Sequence, residues 1–315
     1  MDIFVNRRGF LGAAAASVAS GTTLAAQPSA FPIIPVIDTH IHLFDPTRPQ
    51  GVPWPAKDDK VLYQPALPDR YRKISRPFGI TGAIEIECSP WPEDNQWVLD
   101  IAAKDNIIVG TVGNLEPGKP GFRAELDRLH RNPLFLGIRY GNLWGRDLGA
   151  EIGKPAFVAD LKALADAGLV LDTANQTPEL IAAALRVTDR VPNLRVVVDH
   201  LPQLAAPADA NLRELGRRPQ VYVKISEVLR RIGTGADSRV PTDLAFYRPK
   251  LDELFGIFGE DRLLFGSDWP NSDNWAPYSQ VFGIVHEYFR GKGTAVAGKY
   301  FVDNAFAAYR WRQRV

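Results

Sequence analysis

Eight short apolar runs recur along the chain, each followed by a stretch with helical periodicity. They are VIDTHIH (36–42), GAIEIE (82–87), IIVGTV (107–112), LFLGIR (134–139), LVLDTA (169–174), RVVVDH (195–200), VYVKIS (221–226) and LLFGSD (263–268). Such alternation argues for a parallel sheet, because a helix must carry the chain back before the next parallel strand can begin. The intervening segments carry helix signals. PEDNQWVLDIAAKDN follows the second run, KPAFVADLKALADAG ends on Gly168 as a stop, and TPELIAAALRVTDRVPN places Thr177 as N-cap with Pro178 in the first turn. SQVFGIVHEYFRG and KYFVDNAFAAYRW supply closing helices. Eight strand–helix units predict the α/β class and a (β/α)8 TIM barrel. An open, doubly wound sheet is the rival, but no glycine-rich nucleotide fingerprint follows any of the runs. The connection from Leu43 to Gly79 is long and rich in Pro, Trp and charge, and it reads as an active-site loop.

A barrel of this kind gathers its chemistry at the C-terminal ends of its strands. Polar residues fall there: His40 and His42 on the first strand, Glu87 on the second, Arg139 on the fourth, His200 on the sixth, Ser226 on the seventh and Asp268 on the eighth. His40 and His42 stand two apart and share a face. The same alternation points Tyr222, Lys224 and Ser226 into the barrel, and assigns Glu85 and Glu87 to the interior with Ile84 and Ile86 outside. Three imidazoles with one carboxylate suit one borderline divalent cation, Zn2+ foremost, which would lower the pKa of a water towards 7. Asp268 is then the base that takes the proton. Arg139, Glu87 and Lys224 are candidates for holding substrate. Trp91, Trp144, Trp269 and Trp275 follow strand ends, where flat faces can sandwich a ring. His130 and His286 lie in helical segments and read as packing or surface residues.

Composition narrows the functions. The 315 residues are 45% hydrophobic and 23% charged, enough for a large core. A net charge of +1 gives no basic field for nucleic acid. The single cysteine, Cys88, excludes an intrachain disulfide framework and any CxxC site. Residues 1–30 stand apart: Arg7 and Arg8, then Gly-Phe-Leu, a mildly apolar run from Leu11 to Ala26, and small residues. That order is an export signal resembling the bacterial twin-arginine type, which implies a periplasmic or secreted enzyme. The domain is then expected over residues 31–315. No later segment is apolar enough to span a bilayer, so no membrane association is expected once the signal is removed.

DTHIHLFDP, GIRY, VVDHL, VKIS and FGSDWP, in this order, resemble the amidohydrolase-related branch of the amidohydrolase superfamily, in the group of 2-pyrone-4,6-dicarboxylate lactonase and fuconolactonase-type sugar lactonases. The resemblance runs over residues 34–311. It implies a barrel of the metal-dependent-hydrolase type that opens a small, anionic or sugar-derived lactone with an activated water. Asp268 would be general base, and His40, His42 and His200 would either activate the carbonyl directly or join Asp268 around one divalent metal. Arg139 matches an arginine that binds a substrate carboxylate or polarises a carbonyl. No lysine ends the fourth or fifth strand, where binuclear relatives carry one, so at most one metal is expected. Glu227, where relatives often have glycine, is expected to face solvent. The alternatives are a metal-dependent nonoxidative decarboxylase of aromatic or muconate-type acids, whose second strand-end histidine LVLDTANQ lacks, and a binding protein that keeps the barrel without turnover.

Overall fold

Residues 34–174, 177–200 and 207–314 are described by the computed structural model. The export signal expected over residues 1–30 lies outside them. Among the described residues are the strands β1 (Val36–Ile41), β2 (Ile80–Ile86), β3 (Ile108–Gly113), β4 (Phe135–Arg139), β5 (Val170–Asp172), β6 (Arg195–Val198), β7 (Val221–Ile225) and β8 (Leu263–Phe265). They form one parallel sheet in chain order. The last strand returns to the first. Thr39 Oγ1 donates to the Phe265 carbonyl at 2.6 Å, and the backbone N–H groups of Asp268 and His42 donate to the carbonyls of His40 and Trp269, both at 2.8 Å. The result is the expected (β/α)8 barrel.

Local chemistry sets the helices. The Thr177 hydroxyl accepts from the Leu180 N–H at the start of helix Pro178–Arg190, a cap worth about 1 kcal/mol. Gly168, at φ 72°, ends the turn after helix Pro155–Asp166, a conformation open to glycine without steric cost. Leu180, Ile181, Ala184 and Val187 bury one face of their helix, and each fully buried aliphatic side chain of this size contributes roughly 1.5–3 kcal/mol. Among the described residues no helix is long and apolar enough to cross a membrane.

The barrel interior is layered. Its lower part is apolar, with Ile37, Ile84, Leu136, Val170, Val197 and Leu264 packed together above Ala305, Ala308 and Tyr309 of the last helix. Ile84 and Ile86 therefore face inward, and the inward assignment of Glu85 and Glu87 is reversed. Alternation gives the period of a strand, not its phase. Here the lower interior demanded apolar side chains, and the carboxyls went to the side of helix Pro92–Lys104, where they line a cavity of about 20 Å3 with Asp94 and Asn95. β1 changes phase along its length: Ile37 packs in the apolar layer while His40 and His42 also point inward, which the register shift between Asp38 and Ile41 permits.

Strands six and eight stop short of the runs read from the sequence, at Val198 and Phe265. His200 and Asp268 follow with φ of 59° and 60°, a left-handed backbone that a strand does not hold.

Candidate active site

Three strand ends finish on left-handed, non-glycine residues: His200 after β6, Glu227 after β7 (φ 51°) and Asp268 after β8. Each such turn costs about 1–3 kcal/mol and is maintained by its surroundings. Here each swings a side chain over the barrel axis. Gly266 allows a close approach of β8 to β1 and β7, since a Cβ there would lie 2.8 Å from the Cβ of His40 and 3.1 Å from that of Ser226.

Asp268 occupies the centre. Its Oδ1 lies 3.2 Å from His42 Nε2 and 3.5 Å from His40 Nε2. Neither Asp268 Oδ1 nor His40 Nε2 has a hydrogen-bond partner among the described residues, although both are buried. His42 Nδ1 lies 2.8 Å from the Ile86 carbonyl oxygen, which only accepts, so Nδ1 carries a proton and Nε2 of the neutral ring offers a lone pair. The Nε2 atoms of two imidazoles and a carboxylate oxygen thus converge on one point. The donor–donor edges of a tetrahedral zinc with bonds of 2.0–2.2 Å are about 3.4 Å. The spacing and chemistry of His40, His42 and Asp268 fit such an ion.

His200 stands beside this triad. It forms donor groups with Glu227 and Asp268, or with His40 and Asp199, rather than with both histidines of β1. Its Nδ1 is 3.1 Å from Ser226 Oγ and 3.6 Å from Glu227, and its Nε2 is 3.4 Å from Arg139 Nη2. Burial, assisted by Arg139, pulls the imidazole down to about 4 against Asp268 and Asp199. It is neutral at neutral pH. Burial alone would raise the Asp268 carboxyl, but the surrounding imidazoles of His200, His42 and His40 hold it below the usual range.

Beneath the histidines runs an ionic layer. Lys224 Nζ donates to Asp172 Oδ2 at 2.6 Å, sits 3.0 Å from Asp199 Oδ1 and reaches within 3.3 Å of His40 Nδ1. Tyr309 Oη donates to the same Asp172 oxygen at 2.7 Å. Burial pushes Asp172 up to about 6 with Lys224 opposing, whereas Lys224 and then His40 overcome burial at Asp199 and hold it well below the ordinary value. Burial and Lys224 both press His40 downward, so its ring is neutral.

A cavity of about 160 Å3 opens above these groups, walled by His42, Trp54, Cys88, Arg139, Leu143, Trp144, His200, Asp268 and Asn271. Arg139 is buried and held by the carbonyls of Thr173 and Glu87 and by Asp199 at 3.2 Å. The other sequence candidates sit differently. Lys224 is fully buried below the cavity and reaches none of its walls. Glu87 accepts from Trp144 Nε1 at 3.2 Å and faces Arg146, so it supports a wall without forming one. Trp269 is fully buried against Tyr71. Of the tryptophans beyond strand ends, only Trp144 lines the cavity. Glu227 does not face solvent: it is 7% exposed, paired with Arg230 and turned towards His200. His130 is exposed and His286 stacks on Phe282.

Sequence reasoning passed over Asp172, Asp199, Asn271 and Trp54. The two aspartates were visible as charges closing apolar strands, LVLD and VVVD. Trp54 lies inside the loop read as part of the site. Asn271 had no local signal, because a turn asparagine after WP is common in any loop.

Comparison with known proteins places the chain in a family. The amidohydrolase family model matches residues 37–311. An L-fucono-1,5-lactonase of Burkholderia ambifaria is 28% identical over 244 residues, covering 75% of this chain and 80% of its own. A second, from Burkholderia multivorans, is 26% identical over 276 residues, covering 82% and 90%. The crystal structure of a Burkholderia multivorans amidohydrolase with bound zinc superimposes with a TM-score of 0.75 at 24% identity, over 88% of this chain and all of that one.

Proposed function

The chain belongs to the amidohydrolase family, and from that premise we propose that it hydrolyses a small sugar-type lactone. The observation that carries this reading is the convergence of Asp268 with the Nε2 atoms of His40 and His42 at the floor of a cavity suited to a small ring. Similarity to two L-fucono-1,5-lactonases supports the substrate class.

Asp268, ionised at neutral pH, accepts the proton of the attacking water. Arg139 faces the cavity beside the neutral His200, which accepts from it, and its guanidinium orients the ester and stabilises the oxygen that gains charge as the carbonyl carbon becomes tetrahedral. The protonated Asp268 then returns its proton to the departing ring oxygen. Trp54 and Trp144 supply flat walls that exclude water from the ring. Among the described residues Arg139 is the one cation of the walls, and Asp199 already compensates it at 3.2 Å. An uncharged, hydroxylated ring suits that balance better than a dicarboxylate. His40, His42 and Asp268 would hold one divalent metal, zinc by the donor set, and its chemistry when bound is Lewis-acid polarisation and a lowered pKa for water. The lactone is met outside the cytoplasm if residues 1–30 direct export, a placement tested by fractionating cells that express the Arg7→Lys/Arg8→Lys variant.

The test of function is proton release from hexono-1,5-lactones with purified enzyme, alongside metal analysis. Turnover with about one equivalent of metal, lost on chelation and restored by zinc, is the expected result. Turnover that survives removal of metal would take the ion out of the mechanism and leave Asp268 and the histidines to act alone. Release of CO2 from an aromatic acid, with every lactone left intact, would overturn the reading in favour of a decarboxylase.

A further inference from the structure

Asn271 lines the cavity, and its amide is bound on both sides. Nδ2 donates to Asp268 Oδ2 at 2.7 Å and to Glu227 Oε1 at 3.1 Å. A primary amide has two hydrogens to give, and both are spent. The orientation is fixed by chemistry, because turning the amide over would set its carbonyl oxygen against two carboxyl oxygens. Glu227 is itself held in place. Its left-handed backbone turns it inward, and Arg230 pairs with it from the far side. What the side chain has left is Oδ1, an acceptor that no hydrogen bond among the described residues uses and that is open to the cavity rather than buried.

We propose that Asn271 is a specificity-determining residue whose Oδ1 accepts a hydrogen bond from a hydroxyl on the ring carbon next to the lactone carbonyl. The proposal rests on the lactonase reading and deepens it. Asn271 hangs from the same carboxylate that takes the proton from water, so its free oxygen is within one amide group of the reacting centre. A substituent that meets it must be a donor. A hydroxyl satisfies this, whereas a hydrogen leaves the oxygen unpaired and a carboxylate is repelled. Glu227 is the positioning residue, because without its oxygen one amide hydrogen is released and the fixed orientation is lost.

The experiment compares glucono-1,5-lactone with its 2-deoxy counterpart as substrates, and the two matching lactams as ligands in calorimetry, for native enzyme, Asn271→Ala and Glu227→Met. Native enzyme is expected to favour the 2-hydroxy member of each pair by about tenfold to a hundredfold. That ratio should fall to near one in Asn271→Ala, and to an intermediate value in Glu227→Met. Any general loss from disturbing Asp268 lowers both substrates alike and leaves the ratio intact. A native ratio near one, or a ratio that persists in Asn271→Ala, overturns the assignment. Native enzyme that opens neither lactone yet prefers the 2-hydroxy lactam refutes the hydrolytic reading while upholding this contact. Failure to bind either lactam refutes both.

Discussion

Replacing Lys224 by methionine removes a charge from the most enclosed part of the molecule while roughly keeping its volume. The ammonium lies 2.6 Å from Asp172 Oδ2 and 3.0 Å from Asp199 Oδ1, with no exposure of any of the three side chains. Asp172 can shed its charge at little cost, because its pKa already stands near 6. Asp199 cannot, since Lys224 is the chief influence holding it ionised. Breaking a buried pair from one side costs about 3–5 kcal/mol. Relief comes from His40, whose ring Lys224 presses towards neutrality, so a value near the lower end is expected. At about 2 °C per kcal/mol for a chain of this size, the melting temperature should fall by roughly 6 °C.

The pH dependence gives the sharper test. Without Lys224 the folded-state pKa values of both aspartates rise. A carboxyl whose pKa is higher in the fold than in the unfolded chain binds more protons when folded, so stability declines as pH rises between the two values. The deficit of Lys224→Met should therefore be small at pH 5 and grow through pH 6 towards pH 8. Calorimetric melting of native and variant enzyme at those pH values measures it, and Lys224→Met/Asp199→Asn should recover part of the loss. A melting temperature within about 1 °C of native at pH 8, or a deficit independent of pH, would refute the view that this layer is held by charge.

Two further outcomes follow from the site. Asp268→Asn should reduce turnover by roughly 10²–10⁴-fold, the usual contribution of a general base, with little change in melting temperature because asparagine tolerates a left-handed backbone; retained turnover would remove Asp268 from the mechanism. With His200 lowered to about 4, the neutral ring persists well into acid, so its protonation should place an acid limb of kcat/KM near pH 4. A limb near the ordinary histidine value of about 6.5 that vanishes in His200→Asn would refute that neutral role.

The order of strands and the identity of the central side chains were legible because each rests on a local rule. Apolar runs alternating with capped helices imply the barrel, and a barrel implies where to look for chemistry. His40 and His42 share a face because they stand two positions apart, and no event elsewhere in the fold alters that. The phase of a strand is different. Glu85 and Glu87 could be assigned to a face only by assuming that polar side chains of a barrel strand point inward, and the interior of this barrel is apolar at that height. The same limit explains Asn271 and Glu227. Their roles depend on left-handed turns that bring the ends of β7 and β8 together, and such turns at non-glycine residues are imposed by the assembled structure, with no pattern in the chain to announce them. The residues proposed to carry the reaction were thus readable from spacing, whereas those proposed to orient them became visible only when distant strand ends met. On the reading proposed above, substrate choice lies in that second group, because Asn271 and Glu227 set an acceptor beside Asp268 without themselves joining His40, His42 and Asp268.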